Sequence, residues 1–127
     1  MSSWDVETDD RTNRIYLTLE GHMDAEDTKA AADAVVDAAE RMDPGFDLVN
    51  DMSTFVPTSD EAMEHIKRGK KGLAENGQAA AVRVVSESTT GQMQFDRAGE
   101  GVEEYALAKA ESVAEAEKLL DKRRQEA

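Results

Sequence analysis

With 28 acidic residues against 15 basic ones in 127 positions, the chain carries a net charge of -13 at pH 7. Nucleic acids and anionic membrane surfaces are polyanions too and would repel it, so neither is an expected partner. The length fits one domain with a core of its own, and the lack of cysteine excludes disulfides and thiolate chemistry.

The predicted elements begin with a hairpin. Trp4, Val6 and Thr8 alternate with acidic residues, "DDRTN" makes a polar turn, and Ile15, Leu17 and Leu19 alternate with Tyr16 and Thr18, the period of half-buried strands. Asp24 suits an N-cap, and Thr28, Ala31, Ala32, Val35, Val36, Ala39 and Met42 come after it at helical spacing until "DPG" at residues 43 to 45. The small residues of that stripe imply close packing on a sheet. Phe46 to Asp51 reads as a short, mostly buried strand. A second helix is predicted from about Ser59 to Asn76, with Ala62, Met63, Ile66 and Leu73 facing inward and Gly77 at the left-handed position that ends it.

"AAAVRVV", residues 79 to 85, has the Ala and Val content of a buried strand. A Ser/Thr-rich loop leads to Gln92–Gly101, which fits either a short helix or an irregular loop. "EEYALAKA" is a short last strand. "SVAE" at Ser112 to Glu115 is a capping box that opens a terminal helix with Val113, Ala116, Leu119 and Leu120 on its apolar face. The expectation is a single α/β domain over 1–127, its core about 4–124 and residues 121–127 a frayed tail. The order is β-β-α-β-α-β-(α)-β-α, a mixed sheet of about five strands with helices mainly on one face.

The acidity has a physical reading of its own. At molar salt the Debye length falls to about 3 Å, which screens the self-repulsion of so anionic a chain. The surplus of Asp and Glu, the seven Lys and the heavy use of Ala and Val fit the cytoplasm of a halophile, such as a halophilic archaeon. "MSSWDVETDD" carries no basic apolar leader, and no apolar run approaches the roughly 18 residues of a membrane span. A cytoplasmic location is expected.

Two stretches, "LEGHMD" at Leu19 to Asp24 and "LVNDMSTFVPTSDEA" at Leu48 to Ala62, together with the element order, resemble the STAS domain of anti-sigma-factor antagonists and its SpoIIAA-like relatives. In that family a strand ends in Gly-x-x-Asp opening the first helix, and a later strand runs through Asp-x-Ser into a Ser-bearing helix start. Gly21, Asp24, Asp51 and Ser53 match those positions. The resemblance implies a non-enzymatic module that needs no cofactor. It would bind a protein partner, such as a kinase or a sigma or anti-sigma regulator, and be switched by phosphorylation at the start of the second helix. Ser59, preceded by Thr58, holds that position, and Asp51 and Ser53 shape the adjacent loop. Pro57 and Asp60 stand where the family has Asp and Gly.

On physical grounds alone, Thr58 with Glu61 is a capping box, and Asp60 and Glu61 complement the positive helix end. "KRGKKG", residues 67 to 72, concentrates Lys67, Arg68, Lys70 and Lys71. These cations either balance nearby Glu64 and Glu75 along the helix or form a docking patch for an acidic partner. Gly69 and Gly72 each cost roughly 1 kcal/mol against Ala in a helix, so something is expected to approach the backbone closely there. The alternative to a protein-binding module is a small-ligand site or minor enzyme at the carboxyl ends of the strands, where His22, Asp24 and Asp51 would form a polar mouth. No Gly-rich phosphate loop, nucleophile elbow or zinc-type spacing supports catalysis or a metal.

Overall fold

The computed structural model describes residues 3–85 and 106–126. Strands β1 (Ser3–Asp9) and β2 (Arg14–Glu20) form the predicted hairpin, followed by a two-residue strand β3 (His22–Met23) and helix α1 (Ala25–Arg41). Next come β4 (Asp47–Asp51), the two-residue β5 (Val56–Pro57), helix α2 (Asp60–Glu75) and β6 (Ala80–Val84). Strand β7 (Ala106–Ala110) and helix α3 (Val113–Glu126) complete the fold. The expected element between β6 and β7, including Gln92–Gly101, lies outside the described residues.

One five-stranded sheet runs β1-β2-β4-β6-β7. Its first pair is antiparallel and the other three are parallel. Helices α1 and α2 make successive crossovers that step the same way along the sheet, from β2 to β4 to β6. Right-handed crossovers of that kind place both helices on one face, and there they lie. Ile15, Leu17, Leu19, Leu48 and Ala81 of the sheet meet Val35, Ala38, Ile66 and Leu73 of the two helices. The opposite face carries Val49, Val82, Val84 and Ala110 and is covered by Ala116 and Leu120 of α3. With both faces covered, β6 is buried at every residue and β4 at all but its last, which is why β6 reads as an apolar run rather than an alternating one.

The glycines of α2 have a structural reason. A Cβ on Gly69 would lie 3.3 Å from the Cβ of Ala32, and one on Gly72 would lie 2.7 Å from a methyl of Val36. The close approach expected from sequence is therefore made by α1. Small residues on both helices let the backbones come together, and the contact area regained offsets the propensity lost at each glycine.

The segment from Asp121 onward, expected to fray, is helical to Glu126. It is tied down by charge rather than by apolar contact, which is why hydrophobic periodicity did not reveal it. Arg14, 2% exposed at the start of β2, reaches Asp121 at 3.1 Å and Asp47 at 3.6 Å. Arg124 reaches the same Asp47 carboxylate at 2.8 Å. Desolvation of the Arg14 guanidinium works against its charge, but hydrogen bonds and the field of Asp121 and Tyr16 outweigh it and leave its pKa raised. Tyr16 donates a hydrogen bond to Glu117 at 3.1 Å and fixes the preceding turn of α3 to the same strand.

Candidate functional site

Two small regions concentrate polar residues of interest. The first is a corner made by the loops after β2 and β4. Gly21, at φ +76°, turns the chain out of β2. That conformation is strained for any residue with a Cβ. Gly21 N–H donates to the Thr54 carbonyl at 3.1 Å and its carbonyl accepts from Val56 at 2.8 Å, while Thr58 N–H donates to the Met23 carbonyl at 3.2 Å. These bonds stitch the two loops into the β3–β5 ladder. Pro57 fits there because the strand is short and at an edge. This small second sheet was not anticipated from sequence, since two-residue strands leave no periodicity to read.

At this corner the helix start differs by one residue from the predicted capping box. Ser59, not Thr58, is the N-cap of α2: its Oγ accepts from Ala62 N–H at 3.1 Å. Thr58 instead donates from Oγ1 to the Met23 carbonyl at 3.1 Å, serving the loop stitch. The third helical residue is thus Ala62, and Glu61 has no cap amide to reach back to. Asp60 and Glu61 remain in the first turn, where they suit the positive helix end. Ser59 is exposed.

Asp24, Asp51 and Ser53 hold backbone. Asp24 Oδ1 accepts from Asp27 N–H at 2.9 Å as the N-cap of α1. Asp51 Oδ1 accepts from the Ser53 amide at 3.3 Å and hydroxyl at 3.0 Å, closing the turn after β4. His22 is exposed on β3. Among the described residues no group of three or more His, Asp or Glu could hold a metal ion.

The cations of "KRGKKG" point in different directions. Arg68 pairs with Asp33 of α1 at 2.7 Å and Lys71 lies 4.0 Å from Glu75. Lys29 also bonds Asp33, and the two cations hold that carboxyl below its usual range. Lys67 is exposed. Lys70, only 5% exposed, cannot share an outer docking patch with them. Helical spacing turns it toward the sheet, beside Gly69 and one turn from Ile66 and Leu73.

Lys70 faces the second region, a cavity of about 40 Å³ between the sheet and helices α1 and α2. Most of its wall is apolar, from Leu17, Leu19, Val35, Leu48, Ile66 and Leu73. The polar part includes Asn50 of β4, Arg83 of β6 and Lys70 of α2. Asn50 and Arg83 are register partners on adjacent parallel strands and so project from the same face. Asn50 is 2% exposed, and its buried Oδ1 has no hydrogen-bond donor among the described residues. Leaving such an acceptor dry costs about 1–3 kcal/mol. Sequence reasoning passed over both residues, although for Arg83 the signal was present: it is the polar interruption of the otherwise apolar, buried β6.

No protein-family profile matches the chain, nor does any of the curated proteins. Among solved structures, an uncharacterised protein of the DUF3478 family with a SpoIIAA-like fold, from Shewanella loihica PV-4, matches with a TM-score of 0.67 at 14% identity. The match covers 94% of this chain and 93% of that one. The likeness shows the fold, and the mixed α/β architecture expected from sequence is the one found: a SpoIIAA-like fold. Among the described residues no helix is long and apolar enough to cross a membrane.

Proposed function

We propose that this chain is a non-catalytic cytoplasmic regulatory module that binds a partner protein through the stitched corner at the start of α2. The SpoIIAA-like fold is that of the anti-sigma-factor antagonist kind of domain, and the observation that carries the reading is the placement of Ser59. Its hydroxyl is an exposed N-cap on loops held by backbone hydrogen bonds. A phosphate there would add nearly two negative charges to a helix end that attracts anions. Asp60 and Glu61 already occupy that field, so the phosphate would act by displacing them and changing the corner's charge, and would gain little stability. The exposed cations Lys67, Arg68 and Lys71 give the same helix a flank for an acidic partner.

Two measurements test this. Protein isolated from its native cells at native salt should show a fraction with one phosphate in its intact mass, lost in Ser59→Ala. A stoichiometric partner recovered by the wild-type chain should be lost with Ser59→Glu and kept with Ser59→Ala. Absence of the phosphorylated species together with equal recovery by both variants would refute the switch.

A second reading, a small-ligand-binding domain, is favoured by one observation: the cavity wall presents a buried amide oxygen with no donor among the described residues. Its ligand would bind beneath α1 and α2, in place of the His22, Asp24 and Asp51 mouth.

A further inference from the structure

On the small-ligand reading, on which this assignment rests, the chemistry of the cavity wall narrows the ligand to one class. The wall has three parts. Its floor and sides are aliphatic, and the cavity's volume of about 40 Å³ leaves room for only a few small groups. A short aliphatic chain fits, and a nucleotide or a sugar does not. Its charge is positive: Lys70 and Arg83 contribute cations, and among the described residues no acidic one lines it, in a chain where acidic residues outnumber basic ones by nearly two to one. Both cations make other interactions as well, so an anion would join an existing set of contacts. The third part is the Asn50 oxygen, which needs a donor.

A plain fatty acid would satisfy the apolar wall and the cations but leave Asn50 dry. An alcohol would satisfy the wall and Asn50 but offer no charge to the cations. We infer that the cavity takes a short aliphatic hydroxy acid, its chain against Leu17, Val35, Leu48 and Leu73, its carboxylate toward Lys70 and Arg83, and its hydroxyl donating to Asn50 Oδ1. Charge-assisted hydrogen bonds from Lys and Arg to a carboxylate in a poorly solvated site are stronger than neutral ones. The carboxylate therefore sets affinity and the hydroxyl sets selectivity.

The test is titration calorimetry on the full chain in molar KCl with 2-hydroxybutanoate, butanoate and butan-1-ol as probes. The expected order is hydroxy acid first, the plain acid roughly tenfold weaker for the missing bond to a buried acceptor, and the alcohol weakest. In Asn50→Leu the two acids should bind alike while the melting transition stays cooperative, an effect that a purely structural role for Asn50 would not produce. Ala32→Leu, which fills the crevice, should abolish binding of all three; since the variant could unfold instead, circular dichroism is read alongside. Binding of the alcohol as tightly as the acids would overturn the hydroxy-acid assignment while leaving the small-ligand reading standing. No heat with any probe on folded wild-type protein would overturn both.

Discussion

Replacing Gly72 with Ala sets two effects of known size against each other. An alanine in a helix interior is worth about 1 kcal/mol over glycine. At this position the new Cβ would lie 2.7 Å from one methyl of Val36 and 3.1 Å from the other. Valine cannot swing aside, because its two γ carbons leave one strongly preferred rotamer in a helix. Helix α2 must then move off α1, and overpacking of this kind costs about 1–3 kcal/mol. Gly72→Ala should therefore destabilise the protein by up to about 2 kcal/mol despite its better propensity. The decisive comparison is the same change in a Val36→Ala background. With both methyls gone the clash disappears, so Gly72→Ala should now stabilise by up to about 1 kcal/mol. Urea unfolding in molar KCl, with slopes checked for two-state behaviour, gives the four free energies of the cycle. An effect of the same sign in both backgrounds would refute the account of why α2 carries glycine here.

Other supports of the fold respond to single changes. Asp47→Ala leaves Arg14, 2% exposed, with Asp121 as its remaining carboxylate; breaking a buried pair costs about 3–5 kcal/mol, and the lower end is expected because Asp121 remains. A loss below about 1 kcal/mol in urea unfolding would mean that the cluster does not hold α3. Gly21→Val forces a β-branched residue to φ +76°, a strain of about 1–3 kcal/mol, and amide exchange at Val56, which donates to the Gly21 carbonyl, should quicken more than exchange in α3. Salt should raise the thermal midpoint between 0.1 M and about 2 M KCl by screening the net charge of -13; a flat response would remove the halophilic reading.

The sequence was most legible where one face of an element decides its period. Asp24, Ser112 and the stripe of α1 marked their helices because caps and apolar spacing act locally. The parallel sheet was implied by strands alternating with helices. Legibility failed where the deciding contact is distant in sequence. Whether Thr58 or Ser59 caps α2 depends on the Met23 carbonyl, which claims Thr58 for the β3–β5 ladder. The end of α3 depends on Arg14 and Asp47, far earlier in the chain. Lys70 was grouped with Lys67, Arg68 and Lys71 because they are neighbours in the chain, yet a helix advances about 100° per residue, so neighbours diverge. The spacing from Ile66 through Gly69 and Lys70 to Leu73 does place Lys70 on the buried side, a signal that was present and outvoted by charge.

Asn50 brings the question of stability against function to one residue. Helices α1 and α2 cannot narrow the cavity by moving nearer to each other, because Gly69 and Gly72 already bring α2 into contact with Ala32 and Val36 of α1. Stability alone would favour filling the space with a larger apolar side chain at position 50. Asn50→Leu removes an acceptor whose burial without a donor costs about 1–3 kcal/mol and adds aliphatic volume to an underfilled wall. The variant should therefore be more stable than the wild type by about 1–2 kcal/mol in the absence of ligand. If the Asn50 oxygen serves a ligand, the stabilised variant should lose the preference for a hydroxylated acid. If Asn50→Leu instead destabilises the ligand-free protein, the amide is holding the sheet together, and the cavity loses the group that makes it selective.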